Sequence, residues 1–264
     1  MRYLVFVPLA ALIFTECRSS GKRGKEQTNG YDSSVNKTGN PAVTPENVSI
    51  NPVKITAAEL PATIQYNGKL EEAWRWTGKL GENFLVTSFT EPHGDKEKNK
   101  NGEEGKSSEL YSCHFHRNES GYQLIWKISD GQKACSFDIT CAFIKNATTI
   151  SDLDGDGIAE TKVQYSLACR SDVSPGYMKL IMHEGTAQYT LQGSMWIQSS
   201  PEDKFTVTEK DVNLESLPKK KDEYEQVMQG FGRYETEKDF AEAPAGFLTH
   251  ARSQWLKFVK ERME

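Results

Sequence analysis

The chain is expected to fold as a mainly β protein (α+β), an antiparallel meander sheet or sandwich with a C-terminal amphipathic helix. Three observations lead there. Runs of alternating polarity recur at strand length, turn residues separate them, and a 3.6-residue apolar stripe appears late in the chain.

The first clear run is 84–89, and Tyr111, Cys113 and Phe115 line one face of the next. Tyr122, Leu124, Trp126 and Ile128 follow. From Cys135 to Phe143 every odd position is apolar or cysteine, and Val163, Tyr165, Leu167 and Cys169 repeat the alternation. Residues 178–182 and 187–197 supply two more strands. Turn signals stand at 118–121, at Asp130-Gly131 and at Glu184-Gly185. The stretch 91–109 is rich in Lys, Glu, Asn and Gly, has no apolar period, and reads as a long exposed hairpin loop. Residues 220–229 read as a polar helix. Residues 245–263 form a stronger one, with Phe247, Ala251, Trp255, Phe258 and Val259 on the face that packs on the sheet. No period of 20–50 residues recurs, which excludes a solenoid or a repeat-built propeller.

Composition narrows the setting. A mean hydropathy of -0.63 excludes a polytopic membrane protein. A net charge of -5 offers no basic field for nucleic acid. Met1-Arg2-Tyr3 leads into an apolar run at 4–14, well short of the ~20 residues of a spanning helix. This is the pattern of a secretory signal peptide. Cys17 follows the run and opens a polar stretch, as in the lipobox of bacterial lipoproteins, where the cysteine thiol is acylated. Glu16 departs from the small residue that a lipobox has there. The alternative is a signal peptide cut elsewhere. The expected organisation is therefore 1–17 for targeting, 18–52 as a disordered tether, and 53–264 as a single mostly-β domain.

The chain has five cysteines, and a lipid on Cys17 leaves an even number for an oxidising compartment. Cys135 and Cys141 on one strand would stand roughly 20 Å apart, beyond disulfide reach. An antiparallel pairing of the strand ending near Ile144 with the one starting near Thr161 sets Cys135 opposite Cys169, so Cys135–Cys169 is the expected bridge. Cys113 and Cys141 are left reduced unless the sheet curls enough to join them.

The chemically loudest stretch is Asp152-Leu153-Asp154-Gly155-Asp156-Gly157-Ile158-Ala159-Glu160. Carboxylates this close repel one another unless a cation sits between them. Calcium takes six to eight hard oxygen ligands. Asp152, Asp154 and Asp156 fill loop positions 1, 3 and 5. Gly157 allows the sharp turn, Ile158 offers its carbonyl, and Glu160 takes position 9. Val163 stands where an EF-hand has its bidentate glutamate, and it lies in a strand. The loop is thus not an EF-hand; it is similar to shorter D-x-D-x-D-G-x-x-[DE] calcium loops of surface proteins, with calcium in a structural role.

His114 and His116 alternate on the face opposite Cys113 and read as solvent-facing. Glu71, Glu72 and Glu82 flank Trp74 and Trp76, a pairing of aromatics and carboxylates that a glycan-active cleft would need; packing is the plainer reading of the tryptophans. Gly-rich phosphate loops, G-x-S-x-G and H-E-x-x-H are absent from the sequence.

The 152–160 loop is followed by Cys169-Arg170-Ser171-Asp172-Val173-Ser174-Pro175 and by Met178-Lys179-Leu180-Ile181-Met182-His183-Glu184-Gly185. Together these resemble the bacterial surface polysaccharide biosynthesis protein family, mostly lipoproteins or secreted proteins. Glu59-Leu60-Pro61, Tyr66-Asn67-Gly68, Ala73-Trp74-Arg75-Trp76, Gly81-Glu82-Asn83 and Trp255 add to the resemblance, which covers roughly 55–258. The loop after Pro92 looks expanded and Glu16 is unusual. The resemblance implies a role in producing or displaying surface polysaccharide and transfers no catalytic residue. The expectation is a non-enzymatic envelope protein, anchored by lipid to the outer membrane or secreted, periplasmic or surface-exposed, whose partners are the membrane and possible polysaccharide or assembly proteins. The alternatives are a glycan-active enzyme using the carboxylates near Trp74 and Trp76, or a calcium-dependent adhesion module.

Overall fold

The computed structural model describes residues 50–98, 102, 104–198 and 200–261. They belong to one compact unit, Pro45–Glu264. The targeting segment, Cys17 and the tether up to residue 49 lie outside the described residues.

Six strands form the first sheet: β1 (Val53–Ile55), β2 (Lys69–Gly78), β3 (Gly81–Phe89), β4 (His93–Lys98), β5 (Glu104–Asn118) and β6 (Gly121–Cys135). The long β5 is its axis. One edge of β5 pairs with β3 and then β4, and the other edge pairs with β6, all antiparallel. A second sheet has the order β11 (Ala187–Ser194), β10 (Tyr177–Glu184), β9 (Glu160–Arg170), β7 (Asp138–Phe143), and β8 (Thr149–Ser151) also pairs with β9. Here β7 and β8 share one edge of β9 as β3 and β4 share one edge of β5. A short parallel pair, β12 (Trp196–Ile197) and β13 (Lys260–Glu261), ties the chain end to the segment after β11.

The period-two pattern decides the layers. Trp76, Leu85, Leu110, Trp126 and Ile128 of the first sheet pack with Val163, Tyr165, Leu167 and Ile181 of the second. On its other face the second sheet presents Met178, Leu180, Met182 and Leu191 to Phe247, Ala251 and Trp255 of helix α2 (Phe247–Phe258). The other face of the first sheet, with Ala73, Phe84, Val86, Cys113 and Phe115, is packed with Ile55 and Ile64 of the N-terminal segment. Trp255 is fully buried and its indole N–H donates to the Gly232 carbonyl at 3.1 Å, so the largest apolar side chain of the helix leaves no polar atom unpaired. Helix α1 (Glu223–Gly230) is polar, as its composition requires, and Asp222 caps it by accepting the Glu225 N–H at 2.9 Å.

Four expectations change. Much of 91–109 is hairpin rather than loop, since His93–Lys98 and the start of β5 pair as strands; 99–101 and 103 lie outside the described residues. Asp130-Gly131 is not a turn: β6 runs straight through it, and Gly131 is there because a Cβ would lie 2.4 Å from the Ser108 carbonyl oxygen. The run 135–143 is not one strand. Cys135 ends β6, the chain bends at Ser136-Phe137, and β7 starts at Asp138, leaving Phe137 exposed. The last helix stops at Phe258, because Lys260 and Glu261 are taken by β13.

Candidate metal centre

The acidic loop joins β8 to β9, with Ser151 paired across from Glu160. Its carboxylates are oriented by the chain's own N–H groups. Asp152 accepts from Gly155 N at 2.9 Å and from Gly157 N at 3.1 Å. Asp154 accepts from Asp156 N at 3.2 Å, and Asp156 from Ile158 N at 2.7 Å. Gly155 and Gly157 hold φ of +78° and +84°, the left-handed region in which a side chain would be strained. The loop rests on the turn between β2 and β3: Lys79 N donates to the Gly157 carbonyl at 2.7 Å, and a Cβ on Gly78 would lie 2.9 Å from that same oxygen. Close backbone approach thus explains the glycine at position 78, while the left-handed φ explains the one at 157.

Oxygen atoms of Asp152, Asp154 and Asp156 lie within 4.8 Å of one another. That spacing suits oxygens arranged around a calcium ion at about 2.3–2.6 Å. A second set with the same closeness comprises Asp154, Glu160 and Glu184. The sequence-predicted loop residues therefore come together, but Glu160 groups with Asp154 and Glu184. Ile158 is half-buried and its N–H is bonded to Asp156.

Glu184 was not recognised from sequence. It ends β10, next to the turn at Gly185, and pairs directly across from Glu160 of β9. Two glutamates opposite each other on adjacent strands repel. The only sequence signal was its place in the Glu184-Gly185 turn.

Electrostatics follow from burial. Glu160 is 1 % exposed; burial pushes its carboxyl up to about 7, against the pull of the Leu153 N–H that it accepts at 2.7 Å. Burial also raises Glu184, and Asp154 and Asp156 add to it. None of these carboxylates forms an ion pair with a lysine or arginine among the described residues.

The histidines correct a further expectation. His114 does face away from Cys113, yet that face is the interior between the two sheets, and it is buried rather than solvent-facing. It bonds Asn83 Oδ1 at 3.0 Å and stacks on Trp76 at 5.1 Å. Trp126 in turn stacks on His183 of the second sheet, rings 4.0 Å apart and 9° from parallel. Burial drives His114 down to about 3 and His183 to about 4, so both imidazoles are neutral. His116 is half-buried and lies 3.4 Å from Gln123 Oε1.

Cys135 and Cys169 form the expected disulfide, Cα atoms 5.6 Å apart, by a different geometry. Cys169 pairs across from Ile139 in the ladder, and Cys135 reaches it from the end of β6, so the bridge joins the two sheets. Cys113 and Cys141 are free thiols. Of the carboxylates near the tryptophans, Glu72 bonds Lys54 Nζ at 2.6 Å and the Trp74 indole at 3.2 Å, while Glu82 accepts from Tyr122 at 3.0 Å beside Arg117. Glu71 is exposed.

Compared with protein-family models, curated proteins and solved structures, the chain matches none.

Proposed function

We propose that this chain is a non-enzymatic bacterial envelope protein, lipid-anchored through Cys17 or secreted, whose β domain is rigidified by calcium and which serves in producing or displaying surface polysaccharide. The observation that carries the calcium reading is the loop itself: Asp152, Asp154 and Asp156 converge within 4.8 Å, each fixed by backbone N–H donors. Among the described residues none of the three carboxylates is ion-paired, the nearby Lys79 Nζ donating instead to the Asp156 carbonyl at 3.3 Å. Holding like charges together costs free energy that a bound cation returns. The ion's role in this reading is structural, because the loop bridges β8, β9 and the β2–β3 turn. The polysaccharide role rests on the residues that carry the family resemblance, and the anchor on Cys17 following an apolar run.

Each part has its own experiment. Thermal melts with calcium and with chelator test the ion, and an unchanged melting temperature removes it. Palmitate labelling of the wild type against Cys17→Ser tests the anchor; equal labelling rejects it. A deletion strain with unaltered surface glycan removes the polysaccharide role. Rescue of that strain's glycan by a Glu71→Gln, Glu72→Gln, Glu82→Gln triple variant supports the non-enzymatic reading over a glycan-active one.

A further inference from the structure

The loop's aspartates do not account for Glu160. This side chain is 1 % exposed, and its Oε1 has no hydrogen-bond partner among the described residues, although Oε2 accepts from Leu153 N at 2.7 Å. A buried carboxylate oxygen without a donor is costly. A carboxylate oxygen of Glu160 also lies within 4.8 Å of oxygens of Asp154 and Glu184. Glu184 pairs across from Glu160 on the neighbouring strand, and its carboxylate, like that of Glu160, comes within 4.8 Å of Asp154, a closeness of like charges that a cation relieves. Three observations therefore meet at one point: a buried glutamate with an orphan oxygen, a cross-strand glutamate pair, and an aspartate carboxylate beside both.

We infer that Asp154, Glu160 and Glu184 hold a second calcium ion, distinct from the one held by Asp152, Asp154 and Asp156, with Asp154 bridging the two. The two sets share only Asp154. Charge supports the pair of ions: a single divalent ion among these carboxylates leaves most of their charge uncompensated, and two nearly neutralise it. The second ion's ligands come from the acidic loop, from the first residue of β9 and from the last residue of β10. It would fasten the β10–β11 turn to the loop, which no ligand set confined to 152–160 can do. This inference rests on the calcium reading above, and the experiment separates their failures.

The full chain, oxidised and stripped with chelator, is titrated with calcium by calorimetry, with far-ultraviolet circular dichroism as the check on fold. Two ions per wild-type chain are expected. Glu184→Gln is expected to weaken the second binding step at least about tenfold, from the loss of one charged ligand, while one ion still binds. Asp156→Asn, which touches only the first set, should leave the step that depends on Glu184. A wild-type stoichiometry of one overturns the second site and leaves the calcium loop standing. A Glu184→Gln isotherm identical to the wild type also overturns it. No binding at all overturns both. Wild-type stoichiometry decides the matter even if Glu184→Gln does not fold.

Discussion

Two carboxylates in this protein, Asp130 and Glu160, meet burial in opposite ways. Asp130 of β6 accepts from Lys179 Nζ at 2.6 Å, Tyr165 OH at 2.8 Å and Gly131 N at 2.8 Å. Burial pushes its carboxyl up, but these three donors outweigh it and hold the group below the ordinary carboxylate range. Glu160 has the Leu153 N–H and the Ser151 hydroxyl on one oxygen, no donor on the other among the described residues, and acidic neighbours, and burial pushes its carboxyl up to about 7. The fold neutralises the first with its own lysine. The second has no cationic partner among the described residues, and it is this carboxylate that the proposed ion would offset.

The largest test of that contrast is calcium itself. At about 10 mM calcium and a Kd near 10⁻⁴ M, binding is expected to add about 2.7 kcal/mol to unfolding. Asp154→Asn, which removes the residue common to both sets, should abolish the gain in a chemical-denaturation series. A full gain in that variant would place the ion elsewhere.

Next in size is Glu160→Gln in chelator. The carboxyl's folded value is raised from 4.5 to about 7. Its favourable contribution is complete below pH 4.5 and is lost as pH rises through 7. At about pH 8 without calcium, the amide variant should therefore be more stable than wild type by about 1–3 kcal/mol. His114 works with the opposite sign: lowered from 6.5 to about 3, it supports the fold fully above pH 6.5 and less as the pH falls. Glu160→Gln should accordingly flatten the alkaline loss and leave the acid loss in place. Equal stability–pH curves for the two proteins would contradict the assignment of the alkaline limb.

Lys179→Met probes the other member of the comparison. The pair is partly exposed, so a loss of about 1–2 kcal/mol is expected, independent of calcium. Recovery on adding calcium would erase the distinction between the two carboxylates. Smallest of all, Glu71→Gln on an exposed position should change stability by less than about 0.5 kcal/mol with or without the ion.

Much of this was legible in the sequence, and the misses have a common origin. Period-two alternation located β5, β6, β9, β10 and β11, and the 3.6-residue stripe located α2. Alternation tells which residues share a face but not what covers it. His114 was placed on the correct face, and that face turned out to be the interior, because a second sheet lies over it. Gly131 looked like a turn since a glycine required by close backbone approach and one required by a bend are the same letter. The disulfide partners were right while their register was not, because the bend at Ser136-Phe137 passes the chain from one sheet to the other. Within the candidate site, 152–160 was visible as a local run of acids. Glu184 was not, since only the β9–β10 pairing brings it opposite Glu160.

The disulfide has one more consequence. Cys135 and Cys169, 34 residues apart in sequence, flank the whole of β7, β8 and the acidic loop. A protease that cuts once within 152–157 therefore opens a ring rather than releasing a fragment. The nicked protein should migrate at full mass on a non-reducing gel and separate into two pieces only after thiol is added, so the acidic turn can be severed without the two halves parting company.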